Sequence, residues 1–106
     1  MWTTNGNELK MVEGDYGIKL PVTVHEIPMS ASDSMRMTFK TRRNGDVILE
    51  KEFSDIQNNV FYLEFTEDET NLFPVGQYVY SMDWYQNGIF MCNVIPIGAL
   101  KVVDKA

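Results

Sequence analysis

The chain has 106 residues, which is enough for one domain with one buried core. Hydrophobic residues make up 44% of it, an ordinary globular content that argues against disorder, and the formal net charge is -6. This acidic balance disfavours nucleic acid and anionic membrane surfaces as partners, because their phosphates would be repelled. Residues 1–106 are therefore predicted to form a single domain.

The amino end and the cysteine content predict a protein that is made and folded in the cytoplasm. The opening residues, MWTTNGNELKMVEG, lack the basic and then apolar segments of a secretory signal peptide. Cys92 is the single cysteine, so no internal disulfide is expected. No apolar run approaches the roughly 20 residues that a membrane helix needs.

Alternation of apolar and polar residues dominates the chain and predicts β-strands. Clear examples are residues 18–24, 35–39, 61–65 and 78–84. Because successive strand side chains point to opposite faces, each series places one apolar row on one face, and four such rows need two stacked sheets to cover them. The predicted strands are residues 8–12, 16–26, 34–42, 46–53, 60–66, 77–86 and 89–95, with a last segment at 99–103.

Turn residues separate these strands at short intervals. The Asn-Gly pairs at 44–45 and 87–88 lie between alternating runs and favour hairpin turns that need positive φ. Pro21 lies inside a predicted strand and indicates a bulge or an edge position, because proline cannot donate to a ladder. Residues 96–98, Pro-Ile-Gly, predict a kink in the last strand or a change of sheet.

A tyrosine corner is predicted before the strand at 77–86. Leu72, Pro74, Gly76 and Tyr78 follow one another as in Greek-key sandwiches, where a tyrosine at the start of a strand donates its hydroxyl to the upstream backbone. A buried phenol needs such a partner. With seven or eight antiparallel strands in two sheets, this corner predicts an all-β, immunoglobulin-like Greek-key β-sandwich.

The acidic cluster at 67–69 has two interpretations. Carboxylates bind calcium, but the alternating ligands and the glycine of a calcium loop are absent. Thr66 and Glu69 instead form the T-x-x-E pattern of a capping box, and acids in a first turn suit the helix dipole. Residues 67–72 are therefore predicted to form one helical turn, and no metal site is assigned.

No residue is assigned a catalytic or cofactor-binding role. His25, the single histidine, and Cys92 are the residues that nucleophilic catalysis would pair, but neither lies in a recognisable motif. Cys92 is predicted to be a small buried hydrophobe, and His25 a solvated residue. The methionines at strand spacing, Met35, Met37 and Met82, are predicted to fill the core. We expect the protein not to be an enzyme.

Aromatic residues keep a carbohydrate-binding alternative open, because flat rings stack on sugar faces. Tyr62 and Tyr85 are predicted to project outward, whereas Trp84 shares the core row of its strand. The rings considered are Trp2, Tyr16, Tyr62, Trp84 and Tyr85. A core role for most of them is favoured, since aromatics dominate core burial.

The order of these segments resembles the immunoglobulin-like domain at the amino end of baseplate upper proteins from phages of Gram-positive bacteria. The matching segments are LKMVEGD at 9–15, the strand at 18–24, EDETNL at 67–72, GQYVY at 76–80, the turn at 87–88 and Gly98. Members of that family have a similar hydrophobic-x-x-Gly-Asp opening, an acidic-Thr-x-x-Leu turn and a Gly-x-Tyr-x-Tyr strand. They continue into a long oligomerising and receptor-oriented region, whereas this sequence ends at Ala106. That difference leaves two expectations, a small tail accessory or a related module with another use.

The resemblance implies a non-enzymatic structural or adaptor module of a phage or prophage tail, a virion component that contacts other virion proteins or copies of itself. Docking is expected at a strand edge, either at 46–53 or at 100–103. The pair Arg42-Arg43 next to the turn at 44–45 is either solvated or contacts acids on a neighbouring subunit. The carbohydrate-binding module remains the alternative function.

Overall fold

The strands and the helix follow the predicted order along the chain. A computed structural model describes residues 3–5 (backbone alone), 7–17, 19–24, 29–30, 32–54 and 56–104. The elements within these residues are β1 (Thr3–Asn5), β2 (Glu8–Val12), β3 (Leu20–Thr23), β4 (Asp33–Lys40), β5 (Val47–Phe53), β6 (Val60–Leu63), α1 (Glu67–Thr70), β7 (Gly76–Gln86) and β8 (Ile89–Val103). The protein is mostly β, as predicted.

Two sheets are present, one mixed and one antiparallel. The larger has six strands in the order β1-β2-β8-β7-β4-β5, and β3 pairs with β6 in the smaller. The prediction of uniformly antiparallel strands is wrong for β2, which runs parallel to β8 with Leu9 opposite Leu100. The two strands are separated by most of the chain, so no hairpin turn sets their relative direction. The alternation of apolar and polar residues shows which face of a strand is buried, but it does not show which strand is its partner.

Most predicted strands agree with the structure within a few residues, and the differences have local causes. The strand predicted at 16–26 is limited to Leu20–Thr23 within the described residues, since Gly17 has a φ of 73°. Residues 18, 25 and 26 of that prediction lie outside the described residues. β1 was not predicted, because three polar residues carry no alternation.

The segments predicted at 89–95 and 99–103 form one strand, so the predicted change of sheet is wrong. The register between β7 and β8 shifts at three places, and Pro96 and Ile97 have no register partner on β7. The missing N–H of Pro96 therefore costs no ladder bond there. Pro21 lies in β3, which has no partner but β6 within the described residues, and this confirms its edge position.

Most residues of the predicted apolar rows belong to one buried cluster. Phe39 of β4 contacts the rings of Phe65 and Phe73, with centroid distances of 5.4 and 5.6 Å. Met35, Met37, Phe61, Leu63, Phe65, Tyr80 and Met82 are buried as predicted, together with Leu9, Met11, Val24, Ile56, Phe73, Leu100 and Val102. Both sheets contribute to this cluster.

The predicted capping box is present at the start of α1. The Glu69 N–H donates to Thr66 Oγ1 at 3.2 Å, and the Thr66 N–H donates to Glu69 Oε1 at 2.9 Å. The helix is shorter than the predicted turn, because it ends at Thr70 with Asn71 as its C-cap. Thr70 is buried, and its hydroxyl donates to the Asp15 carbonyl.

The predicted hydrogen bond of Tyr78 is also present. Its hydroxyl donates to the Pro74 carbonyl at 2.6 Å, but the ring is half-buried rather than buried. The tyrosine that is buried is Tyr80, whose hydroxyl donates to the Asn7 carbonyl. Tyr80 also lies against Gly98, where an added Cβ would come closer than 3.0 Å to the ring.

Removing the Tyr78 hydroxyl tests the first of these bonds. We expect Tyr78→Phe to lower the free energy of unfolding by about 1 kcal/mol, because the Pro74 carbonyl loses its donor near the surface. Tyr62→Phe is the matched control, since Tyr62 is exposed and makes no such bond with the described residues. Urea denaturation of both variants measures the difference, and equal stabilities would contradict the role of the bond.

Adding a methyl group at position 98 tests the packing of Tyr80. We expect Gly98→Ala to lower the free energy of unfolding by roughly 1–3 kcal/mol, because the ring must leave its place. Ala99→Ser, at the exposed neighbouring position, is the control. An alanine variant as stable as the parent in urea denaturation would show that the ring does not rest on Gly98.

Candidate functional site

The residues considered for catalysis do not form a site within the described part of the chain. Cys92 is a free, half-buried cysteine opposite Trp84 in the sheet, and His25 lies outside the described residues. The prediction that Cys92 is buried is therefore met only in part. No group of three or more His, Cys, Asp or Glu side chains within the described residues is arranged to hold a metal ion.

The aromatic residues considered for sugar binding divide between surface and core. The Tyr62 ring is 57% exposed on β6, as predicted, and Tyr16 is exposed in the loop after β2. Tyr85 faces outward but is half-buried, because the Arg36 guanidinium lies over its ring at 4.3 Å. Trp84 packs against the core, and Trp2 lies outside the described residues.

Asp33 is the buried acid of the described residues, and its role is structural. Only 1% of the residue is exposed. Its carboxylate accepts hydrogen bonds from the Ser30 N–H, the Ser30 hydroxyl and Trp84 Nε1, each at 3.1 Å. Burial alone would raise the pKa of Asp33, but these donors outweigh it and the pKa is lowered. A satisfied, ionised carboxylate of this kind orders the connection to β4.

The two strand edges predicted for docking differ in the structure. β5 pairs only with β4 within the described residues, so the edge predicted at 46–53 is confirmed. The edge predicted at 100–103 is wrong, because β2 and β7 pair with that part of β8 on either side. The unforeseen pairing of β2 is the reason.

The first part of β8 forms a second free edge. β2 reaches only Ala99–Val103, so residues 89–97 have β7 as their sole strand partner among the described residues. Their sequence, IFMCNVIPI, contains no charged residue. β5, in contrast, carries Glu50, Lys51 and Glu52, charges that discourage uncontrolled strand pairing.

This free edge begins in an exposed apolar cluster. Ile89, Phe90 and Met91, hereafter the apolar hairpin end, are 67%, 54% and 43% exposed. Because neighbouring strand residues point to opposite faces, three exposed residues in a row mean that neither face is covered there. Contiguous apolar exposure of this kind marks an interaction site more often than isolated exposed residues do.

Polar contacts hold the residues beside the apolar hairpin end. The Tyr85 ring contacts Phe90 edge-on, with a centroid distance of 5.7 Å. The Tyr85 hydroxyl accepts a hydrogen bond from Arg36 Nη1 at 3.1 Å. Arg36 also contacts Glu52 at 3.2 Å and Glu50 at 3.5 Å. An apolar centre with a polar margin is typical of protein–protein interfaces.

The apolar hairpin end was missed in the sequence, although a signal was present. The turn at 87–88 was predicted, but the residues after it were assigned to an ordinary strand. Ile89, Phe90 and Met91 are consecutive apolar residues and break the alternation that the other strands keep. Consecutive apolar residues in a strand predict that both faces of the sheet are buried at that point or that both are exposed.

Lys51 joins the edge strand β5 to α1. Its Nζ lies 2.7 Å from Glu69 Oε1 and also donates to the Glu64 carbonyl, and it lies over the rings of Phe53 and Phe65 at 5.7 and 5.6 Å. Both partners of the ion pair are mostly buried. Burial alone would raise the pKa of Glu69, but the hydrogen bonds from Lys51 and the Thr66 N–H outweigh it and lower the pKa.

The Lys51–Glu69 pair predicts a loss of stability in acid. Since the folded-state pKa of Glu69 lies below its ordinary value of 4.5, the stabilisation is full above that value and is lost as the pH falls through the folded-state pKa. We expect Glu69→Gln to reduce the fall in unfolding free energy between pH 6 and pH 3 by roughly 1 kcal/mol. Urea denaturation at both pH values measures this fall in unfolding free energy. Glu67→Gln, at an exposed position, is the control. An equal fall in the parent and in both variants would contradict the assignment.

Comparison with known proteins adds no relative to these observations. No family model, curated protein or solved structure matches the chain. No helix within the described residues is long and apolar enough to cross a membrane.

Proposed function

We propose that the protein is a non-enzymatic structural or adaptor module of a phage or prophage tail or baseplate, which acts through protein–protein contacts at the apolar hairpin end. The observation that carries this proposal is the exposure of Ile89, Phe90 and Met91 beside an uncharged free edge. The partners are other virion or tail proteins, or further copies of the chain. The protein is assembled into the virion in the bacterial cytoplasm.

The proposed fold is an immunoglobulin-like Greek-key β-sandwich. Three features support it: the shared core of the two sheets, the short helix between β6 and β7, and the bond from Tyr78 to Pro74. A sandwich of this kind is a scaffold whose exposed loops and edges do the binding. The resemblance to the amino-terminal domain of baseplate upper proteins supports the same assignment.

The energetics of the apolar hairpin end favour an occupied surface. Covering a side chain such as Ile89 or Phe90 contributes about 1.5–3 kcal/mol when burial is complete. Association costs translational, rotational and side-chain freedom, which offsets part of this gain. A stable complex therefore needs a few fully buried side chains within a complementary interface. The exposed backbone groups of the free edge add hydrogen bonds if the partner supplies a strand.

A carbohydrate-binding module is the second candidate, and one observation favours it. The exposed Tyr62 ring lines a cleft of about 430 Å³ together with Gln57, Asn58 and Val60. An aromatic plane beside amide side chains can stack on a sugar and bond its hydroxyls. Binding on a glycan array that is lost in Tyr62→Ala and kept in Phe90→Asp would replace the first proposal with this one.

Charge placed in the apolar hairpin end tests the proposed function. The purified chain is mixed with tail proteins encoded by neighbouring genes, and also examined alone over a concentration series by light scattering. We expect Phe90→Asp to weaken the association by at least about tenfold, because a buried carboxylate would have no partner.

Leu72→Asp is the matched control, since Leu72 is 46% exposed but lies after α1, in a different part of the chain. It should bind as the parent does. The proposal fails if both variants bind alike. It also fails if the chain neither binds a tail protein nor self-associates.

A further inference from the structure

A separate cleft opens on the face of the six-stranded sheet that points away from the core. Its volume is about 230 Å³. The residues that line it are Thr38, Lys40, Arg43, Asn44, Val79, Tyr80, Ser81, Pro96 and Ile97. None of them belongs to the apolar hairpin end, although Pro96 and Ile97 lie at the other end of the free edge at 89–97.

Three strands and one turn build the cleft. Its floor comes from β4 and β7, where Thr38 lies opposite Ser81 and Lys40 opposite Val79. One wall is the β4–β5 turn, in which Asn44 has a φ of 62° and the Gly45 N–H donates to the Arg42 carbonyl at 2.8 Å. The turn carries Arg43 and Asn44 to the rim.

The other wall is the irregular part of β8. Pro96 and Ile97 lie where the register with β7 shifts, between the pairs Met82–Ile95 and Tyr80–Gly98. Pro96 and Ile97 together oppose the single Ser81, so β8 has one extra residue here and leaves the regular ladder. They give the cleft an apolar side opposite the basic turn, and Val79 adds to it from the floor.

The cleft is positively charged within an acidic protein. Lys40 and Arg43 are the charged residues of its lining, and neither forms an ion pair with the described residues. Glu50, the acid opposite Thr38 on the neighbouring strand, is held by Arg36 at 3.5 Å. Among the described residues no acid forms an ion pair with either cation, and a concave site strengthens their field.

We propose that this cleft binds a small organic phosphate, a phosphate monoester with an apolar substituent. Lys40 and Arg43 supply charged donors, Thr38 and Ser81 supply hydroxyl donors from the floor, and Asn44 supplies an amide donor from the turn. Donors that converge from several sides suit a tetrahedral oxyanion with several acceptor oxygens. Val79, Pro96 and Ile97 contact the apolar substituent.

The size of the cleft restricts the ligand. Sites for drug-sized molecules have volumes of roughly 300–1,000 Å³, and this one is smaller. A phosphate with one ring or a short chain fits that limit. The opening lies on the sheet face, so the remainder of a longer molecule would extend into solvent.

Titration with phenyl phosphate tests the proposal. Chemical-shift changes are followed at constant ionic strength, with inorganic phosphate and benzoate as comparison probes. We expect saturable binding of phenyl phosphate that is at least about threefold tighter than that of either probe, because one probe lacks the apolar group and the other the tetrahedral anion. The shifts should be confined to the cleft residues.

Charge-removing variants complete the test. Lys40→Gln and Arg43→Gln should each weaken the binding by about fivefold or more, since each removes a charge-assisted hydrogen bond. Arg42→Gln is the matched control, because it removes the same charge from the same turn outside the cleft lining. Unchanged amide spectra of the free variants verify folding.

Three results would overturn the proposal. Equal weakening by Arg42→Gln would mean that the overall charge of the turn, not the cleft, attracts the anion. Benzoate binding as tight as that of phenyl phosphate would exclude a site for a tetrahedral group. No saturation at 20 mM, roughly the limit for weak specific binding on the affinity scale, would mean that there is no site. Each result leaves the role of the apolar hairpin end unaffected, so the two proposals fail separately.

Discussion

The contact of Phe39 with its neighbouring rings holds the architecture together. Phe39 projects from β4 of the larger sheet and meets Phe65, which follows β6 of the smaller one. It also meets Phe73, which follows α1, and Tyr80 of β7. Phe65 and Phe73 stack on each other at 5.2 Å. Aromatic side chains bury roughly 150–250 Å² each, so this one cluster joins both sheets and the helical connection.

The sequence predicted the layers well because each layer is encoded locally. Residues 35–39 and 61–65 have the period of two that a half-buried strand requires, and their apolar members are buried. The two Asn-Gly turns were also predicted, and Asn44 and Asn87 have the positive φ that such turns need, 62° and 52°. These features depend on residues next to one another in the chain.

The partners and directions of distant strands were not predictable in the same way. The parallel pairing of β2 with β8 joins residues about 90 positions apart, and no turn between them specifies it. That pairing decided which edges were free, so the candidate site could not be located from the sequence. Residues 100–103 look as suitable for an edge as residues 89–97 until the position of β2 is known.

Two free edges of the larger sheet, β5 and the first part of β8, differ in their charged residues. On β5, Glu50 and Glu52 are held by Arg36, and Lys51 turns inward to Glu69, which is a known protection against strand pairing. On β8, residues 89–97 carry no charge, and Pro96 is the one residue of that stretch that cannot donate. One edge therefore carries charges that discourage strand pairing, and the other carries none.

The parallel pairing of β2 with β8 also places the described ends of the chain close together, on the side of the molecule opposite to Ile89. Thr3 lies opposite Lys10, which lies opposite Lys101, so both described ends of the chain are two strand spacings apart, about 10 Å. Ile89 lies at the far end of the 15-residue β8, in a protein whose longest dimension is 40 Å. A tether attached at either described end would therefore leave from one side of the molecule, and Ile89 would be presented on the opposite side.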